Sequence, residues 1–309
     1  MSANPREAAG TGAGARGGAA QGGSGDEIRR GERFAFGENW SRFLEVLDED
    51  RIREAERSLQ EMLGMQRLDG LSFLDVGCGS GLFSLAAWRL GARVRSFDYD
   101  PRSVATTREM RRRYGRDDES WIVEDGSALD RAYLGGLGQF DIVYSWGVLH
   151  HTGSMWEAMA NVVPLVGSGG QLFIALYNDQ GLVSRFWAGV KRLYCSGWPG
   201  RLFVIPVFFA IFAAAGLASD LLGGQNPLVR YSEYRRKRGM SLTHDWIDWL
   251  GGYPYETAKP GDVFDFFSGR GFTLRKLVTR ATLGCNEFVF RREPEAGSGH
   301  GAGAGRTEP

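Results

Sequence analysis

The chain has 309 residues, a formal net charge of zero and three cysteines. Balanced charge argues against nucleic-acid binding through bulk electrostatics, and the length suits one large α/β domain with room for an insertion. Cys78, Cys195 and Cys285 are widely spaced and form no CxxC pattern. Neither a zinc site nor a disulfide framework is expected, and a reducing cytoplasm is the natural compartment.

A disordered tail is expected over 1–31, because residues 2–25 are rich in Gly, Ala and Ser and nearly free of large apolar side chains. Such a stretch buries too little surface to offset its chain entropy. It has no apolar h-region, so it does not read as a signal peptide. An amphipathic helix follows around 38–63. Strands are then predicted at SFLDV (72–76), RVRSF (93–97), SWIVE (120–124), FDIVYS (140–145) and GQLFIALY (170–177). Helical patterns fill 81–91, 101–113, 128–136 and 154–165 between them. This alternation means a parallel sheet covered on both faces, an α/β Rossmann-like architecture. GFTLRKLVT (271–279) and NEFVFRR (286–292) suit an antiparallel hairpin that closes the sheet, and a second disordered tail is expected over 293–309.

The stretch LDVGCGSG (74–81) places Gly77, Gly79 and Gly81 between the first strand and the first helix, with Asp75 just before them. Glycine there permits a tight turn and lets a ligand approach the backbone. Asp98 ends the second strand about 20 residues later, where a carboxylate can bind ribose hydroxyls. A dinucleotide site would prefer G-x-G-x-x-G, but position 82 is Leu. No G-x-x-x-x-G-K-[ST] phosphate cradle occurs, and acidic and aromatic residues suit a cationic ligand.

LDVGCGSG, SFDYDP, EDGSALD and FDIVYSWGVLHHTG, in this order, resemble a class I S-adenosylmethionine-dependent methyltransferase, nearest in type to the ubiquinone-biosynthesis O-methyltransferases. What the resemblance implies is a seven-stranded sheet, with S-adenosyl-L-methionine across the carboxyl ends of the strands and the core over 32–177. Gly77 and Gly79, with Gly81 in the same turn, would face the methionine part. Asp98 would accept from the ribose hydroxyls, Tyr99 would lie near the adenine, and Trp146 would line the methionine side. Ser127 stands where many relatives have an Asp against the adenine amino group, so that contact passes to Asp125 or to backbone at Ala128.

Methyl transfer gains most from positioning, and a hydroxyl acceptor also gains from a base. His151 and His150 follow the fourth strand at the ligand-bearing edge and are the catalytic candidates; the alternative is that either one caps a helix or bonds a carbonyl. A second polar group, His244, Asp245 and Asp248, has helical spacing. No spacing calls for a metal.

About 90 residues separate the fifth strand from the final hairpin, too many for one crossover helix. The expected organisation is a helical substrate or membrane-contact insertion over 178–262 and the last strands of the core over 263–292. Residues 202–219 carry no charge and reach the length that prompts a transmembrane reading. The chain must return to the same sheet, so a single crossing is excluded; a shallow helix, a hairpin or a re-entrant segment remains, with Pro206 favouring a break. Basic flanks, Arg185, Lys191, Arg192 and Arg201 before it and Arg230, Arg235, Arg236, Lys237 and Arg238 after it, fit an anionic surface. A lid over the site or a dimer surface is the alternative. The expectation is a cytoplasmic methyltransferase of a small, apolar acceptor such as a polyprenyl phenol or quinone precursor, with peripheral contact at the inner face of a membrane. An NAD-dependent oxidoreductase and a catalytically silent, membrane-associated binding protein are the competing readings.

Overall fold

Seven strands form one sheet in the order β3-β2-β1-β4-β5-β7-β6. The structure is a computed structural model that describes residues 24–34, 36, 37, 40, 43–45, 47–116, 118–224 and 242–294. Five strands run parallel: β1 (Ser72–Val76), β2 (Arg93–Asp98), β3 (Trp121–Asp125), β4 (Phe140–Trp146) and β5 (Val166–Tyr177). The hairpin β6 (Phe272–Val278) and β7 (Cys285–Arg292) closes the sheet, with β7 antiparallel to both β5 and β6. The chain order reverses between β1 and β4. In an open α/β sheet the crevice beyond the strands' carboxyl ends at that reversal is where ligands bind.

Apolar side chains pack both faces. On one, Phe73, Val94, Trp121 and Ile142 meet helices α2 (Glu49–Leu63), α3 (Leu82–Arg89) and α4 (Pro101–Tyr114). On the other, Leu74, Val143, Leu172 and Phe290 meet α5 (Arg131–Gly135), α6 (Met155–Val162) and α10 (Pro260–Ser268). The central strands β1, β4 and β5 therefore alternate their side chains between two buried layers, which is why they read as nearly continuous apolar runs.

Besides β5, which starts at Val166 and not at 170, two boundaries near the N-terminus differ from expectation. Residues Ser24–Arg29, inside the expected tail, form helix α1, while 1–23 and 295–309 lie outside the described residues. The helix expected around 38–63 starts at Glu49, where the Asp48 side chain accepts from the Arg51 N–H as N-cap.

The insertion holds α7 (Leu182–Cys195), α8 (Trp198–Leu222) and α9 (Leu242–Gly251). They share a separate apolar cluster of Val190, Tyr194, Val204, Phe208 and Leu250. Pro206 does not end α8, which runs for 25 residues around it. The ring removes one hydrogen bond, and the remaining turns on both sides continue the helix. The basic residues 230–238 lie outside the described residues, as do the side chains of His244, Asp245 and Asp248.

Candidate active site

The turn after β1 is made by backbone that only glycine adopts readily. Gly77, Gly79 and Gly81 have φ of +82°, +55° and +80°. The N–H groups of Gly77 and Cys78 donate to the Phe97 carbonyl at 2.9 and 3.0 Å, which ties the turn to the end of β2. A Cβ at Gly77 would lie 2.3 Å from Val148, one at Gly79 3.0 Å from the Trp40 indole, and one at Gly81 2.8 Å from Thr107. The turn thus has a neighbour on each side that a side chain would displace.

Asp98 stands at the carboxyl end of β2 beside this turn. Its Oδ2 accepts from the Gly79 N–H at 2.9 Å and its Oδ1 from the Asp100 N–H at 2.9 Å. Desolvation pushes the carboxyl up to about 6, against the pull of those two N–H groups. Beneath the turn, Asp75 is buried. It accepts from the Ser84 hydroxyl at 2.5 Å, and burial pushes it up to about 7. Of the other residues expected at the cofactor, Tyr99 donates to Glu27 at 2.9 Å, and burial, then Glu27, pushes its phenol up to about 12. Ser127 Oγ accepts from the Leu129 N–H at 3.2 Å, Ala128 is buried, and Trp146 is exposed at the end of β4.

The two histidines follow β4 in a short 3-10 turn, Leu149–His151, and both are buried. Val148, just before them, is the residue against Gly77, so the pair adjoins the glycine turn through one side chain. His150 Nδ1 accepts from the Tyr177 N–H at 3.3 Å, which leaves the proton on Nε2, an atom with no partner among the described residues. His151 has the opposite arrangement. Its Nδ1 lies 2.6 Å from the Pro254 carbonyl, which can only accept, so the proton is on Nδ1 and Nε2 carries the lone pair. Burial pushes His150 well below the ordinary imidazole range and His151 down to about 3, with Lys191 and Arg33 adding to the effect at His151. Both rings are neutral at physiological pH.

The chain outside the sheet encloses this edge from two directions. From the N-terminal side, Arg33 donates to the His151 carbonyl at 2.8 Å, pairs with Glu27 at 2.8 Å and lies 4.9 Å above the Tyr99 ring. The Gly37 N–H donates to Asp100 at 3.0 Å, and the Phe36 ring lies 4.9 Å from His151. From the insertion, Tyr255 and Trp249 pack against Tyr177, and Lys191 lies against both of them. The Lys191 ammonium lies 4.2 Å from the Trp249 ring and donates to the Trp249 carbonyl, and the Tyr177 and Tyr255 rings are 5.0 Å apart. Glu27, Arg33, Phe36 and Trp40 were not among the residues predicted for the site. The run of aromatic residues in GERFAFGENW, shortly after the Gly/Ala-rich stretch, is the signal that could have found Arg33, Phe36 and Trp40.

A family of proteins described as "Methyltransferase domain" matches residues 74–172. Residues 74–172, which carry the glycine turn and Asp98, are thus a methyltransferase domain. The chain offers a site that fits S-adenosylmethionine: a glycine turn that a Cβ would fill and a carboxylate at the end of β2. The ubiquinone biosynthesis O-methyltransferase of Methylocella silvestris is 33% identical over 134 residues, covering 43% of this chain and 50% of that protein. That of Caulobacter vibrioides is 30% identical over 110 residues, covering 36% and 42%. The chain therefore matches about half the length of these relatives or less. Among solved structures, the magnesium protoporphyrin IX methyltransferase of Synechocystis PCC 6803 with bound SAH aligns with 82% of this chain and 94% of its own, at 14% identity and a TM-score of 0.48.

Proposed function

We propose that this methyltransferase moves the methyl group of S-adenosylmethionine to an oxygen of a small, apolar, phenol-like acceptor, with His151 as general base. The observation that carries the reading is the committed tautomer of His151. Nδ1–H is held by the Pro254 carbonyl, and the basic Nε2 belongs to a buried ring beside the glycine turn. Gly77, Gly79, Asp98 and Tyr99 would hold the cofactor, with Ser127, Ala128 and Trp146 around it. When bound, the cofactor supplies an electrophilic methyl on a sulfonium. His151 takes the acceptor's hydroxyl proton on Nε2 as the oxygen–methyl bond forms, so the imidazole gains the positive charge that the sulfonium loses. Net charge in the site is unchanged across the step. The desolvation that keeps His151 neutral at rest therefore does not oppose the transfer in full.

The finer reading is an acceptor with a polyprenyl tail, a quinone precursor met at the cytoplasmic face of a membrane. Its support is α8. Of its 25 residues only Gly200, Val204, Phe208 and Asp220 are buried, while Leu202, Phe203, Val207, Ile211, Leu217, Leu221 and Leu222 are exposed. Both ends of the insertion return to one sheet, so α8 would lie along a bilayer and not across it. The test is methyl transfer from labelled S-adenosylmethionine to catechols bearing no tail and long tails, with and without anionic vesicles. Transfer to neither acceptor sinks the proposed chemistry. Equal rates with both acceptors in both conditions sink only the lipid part.

A further inference from the structure

The segment Tyr253–Glu256, the last stretch of the insertion, grips the loop that carries the histidines. The Glu256 N–H donates to the His150 carbonyl at 3.0 Å, one residue from the Pro254 carbonyl that meets His151 Nδ1 at 2.6 Å. The Glu256 carboxylate then reaches past the loop and accepts from the Met155 N–H at 3.0 Å and 3.2 Å. Met155 is the first residue of α6, and Ser154, its N-cap, makes no side-chain cap hydrogen bond. An external carboxylate therefore does what the N-cap usually does. It does so from a residue about 100 positions away in the chain, half-buried beside Gly153, where Pro254 leaves 3.4 Å to an added Cβ. The loop from His150 to Met155 is thus fastened at both ends to the same four-residue segment.

We propose that Glu256 is a positioning residue for His151: its carboxylate anchors the insertion to the start of α6, and this holds the Pro254 carbonyl against Nδ1 so that Nε2 stays the basic nitrogen. The proposal rests on the reading of His151 as the base. The physical argument concerns reach. The hydrogen bond that the Pro254 carbonyl accepts fixes the imidazole only while the segment keeps its place, and among the described residues the carboxylate of Glu256 is the side chain that ties the segment to α6. If the carboxylate is removed, α6 loses its cap, the segment can shift, and the ring is free to take the other tautomer. A displacement near 1 Å at a catalytic group costs about 10²-fold in rate.

The experiment reads tautomers directly and needs no acceptor. The chain has four histidines, His150, His151, His244 and His300. Selective ¹⁵N-imidazole labelling of the full chain, in the presence of S-adenosylhomocysteine, resolves which ring nitrogen carries each proton, with His150→Gln and His151→Gln used for assignment. The wild type is expected to show His151 as the Nδ1–H tautomer and His150 as the Nε2–H tautomer. In Glu256→Ala the His151 signals should average between tautomers. Glu256→Gln, which keeps an acceptor oxygen, should restore the wild-type spectrum, and Glu256→Asp, one methylene too short, should give an intermediate one. S-adenosylhomocysteine affinity, measured by calorimetry, should stay within about twofold in all three, since they leave the glycine turn and Asp98 untouched. A His151 still locked as Nδ1–H in Glu256→Ala or Glu256→Asp that binds S-adenosylhomocysteine normally overturns the proposal and leaves Glu256 a helix cap. A wild-type His151 protonated on Nε2 overturns it as well. Wild-type protein that fails to bind S-adenosylhomocysteine would sink the methyltransferase reading while leaving the tautomer result legible.

Discussion

Cofactor affinity should depend on pH through Asp98. Its carboxyl lies at about 6, and the form that accepts from ribose hydroxyls is the ionised one. The sign follows: below pH 6 the unliganded carboxyl is protonated and must lose that proton to bind, so affinity rises with pH and levels off above about 7. Between pH 5 and 8 the gain should be about tenfold, the factor for one proton lost one pH unit below its pKa. The histidines do not interfere, because His151 lies at about 3 and His150 well below the ordinary range. Asp75, at about 7 and coupled to Asp98, does, so the measurement belongs in an Asp75→Asn background as well as in wild type. In the Asp75→Asn background, Asp98→Asn should remove the pH dependence and weaken binding by about 1.5–3 kcal/mol, the value of a hydrogen bond to a charged group. It should also loosen the turn, because the amide's single acceptor cannot serve both the Gly79 and the Asp100 N–H groups. Calorimetric titration with S-adenosylhomocysteine at pH 5, 6, 7 and 8 is the assay. A wild-type affinity that is flat over this range, or an Asp98→Asn variant that binds like wild type, refutes the assignment.

Asp75→Asn should stabilise the fold at pH 8 and leave it nearly unchanged at pH 4. The buried acid keeps its proton up to about 7 in the folded state but loses it near 3.8 when unfolded, so stability falls as pH rises between those values, by about 4 kcal/mol at full ionisation. Thermal melts across pH 4–8 check this, and parallel curves for variant and wild type contradict it. His151→Ala should lower kcat about 10²–10⁴-fold at unchanged cofactor affinity, and a variant with normal turnover would leave His151 a structural residue. Gly79→Val should abolish S-adenosylhomocysteine binding, because φ of +55° strains a β-branched residue and its Cβ meets the Trp40 indole; binding within tenfold of wild type would show that the turn does not face the ligand. Replacing the exposed Leu202, Phe203, Val207 and Ile211 of α8 by Ser should stop flotation with vesicles of phosphatidylglycerol and phosphatidylcholine, in high salt as in low. Wild-type chain that stays soluble with these vesicles at low salt excludes a membrane role, and a monomer–dimer change in the variant would assign the face to a second copy.

The sheet was legible because each strand is a short apolar run ended by turn residues, and β1, β2 and β4 lie within two residues of their predicted bounds. The position of Asp98, at the end of β2 beside the glycine turn, was legible too. That Asp98 also holds the turn, by accepting from Gly79, could not be read, because that hydrogen bond is made by geometry between two loops. The failures share a cause. Glu27 meets Tyr99 across 72 positions, Arg33 meets His151 across 118, and Pro254 meets His151 across 103. No local periodicity encodes such pairings. The Gly/Ala-rich beginning hid the segment beside it, so residues 24–31 were assigned to a tail although they carry Glu27. The α2 start was missed for a different reason: LDEDR contains the Asp48 cap and two acids for the first turn, a signal present and outweighed by the apolar residues before it.

These pairings divide the labour of the molecule. Everything that faces the cofactor turn from below, Asp75, Ser84, Ser96 and Trp121, belongs to the sheet and its helices and is buried in one hydrogen-bonded network. The side-chain and carbonyl hydrogen bonds given above for His151 come from elsewhere: Arg33 from the N-terminal segment holds its carbonyl, and Pro254 from the insertion holds its ring. Arg33 also lies over Tyr99, so one N-terminal segment touches both the proposed base and the residue proposed for the adenine end. A core of this kind can keep its cofactor while the segments that set the base and line the acceptor change around it, because substitutions in the two groups share few partners and so combine almost independently. The relatives' similarity extends over about half their length or less, and the match to the domain family ends at residue 172, before either Tyr177 or the insertion. The rings and charges around Tyr177 therefore lie outside the matched domain, and the acceptor proposed above is read from them.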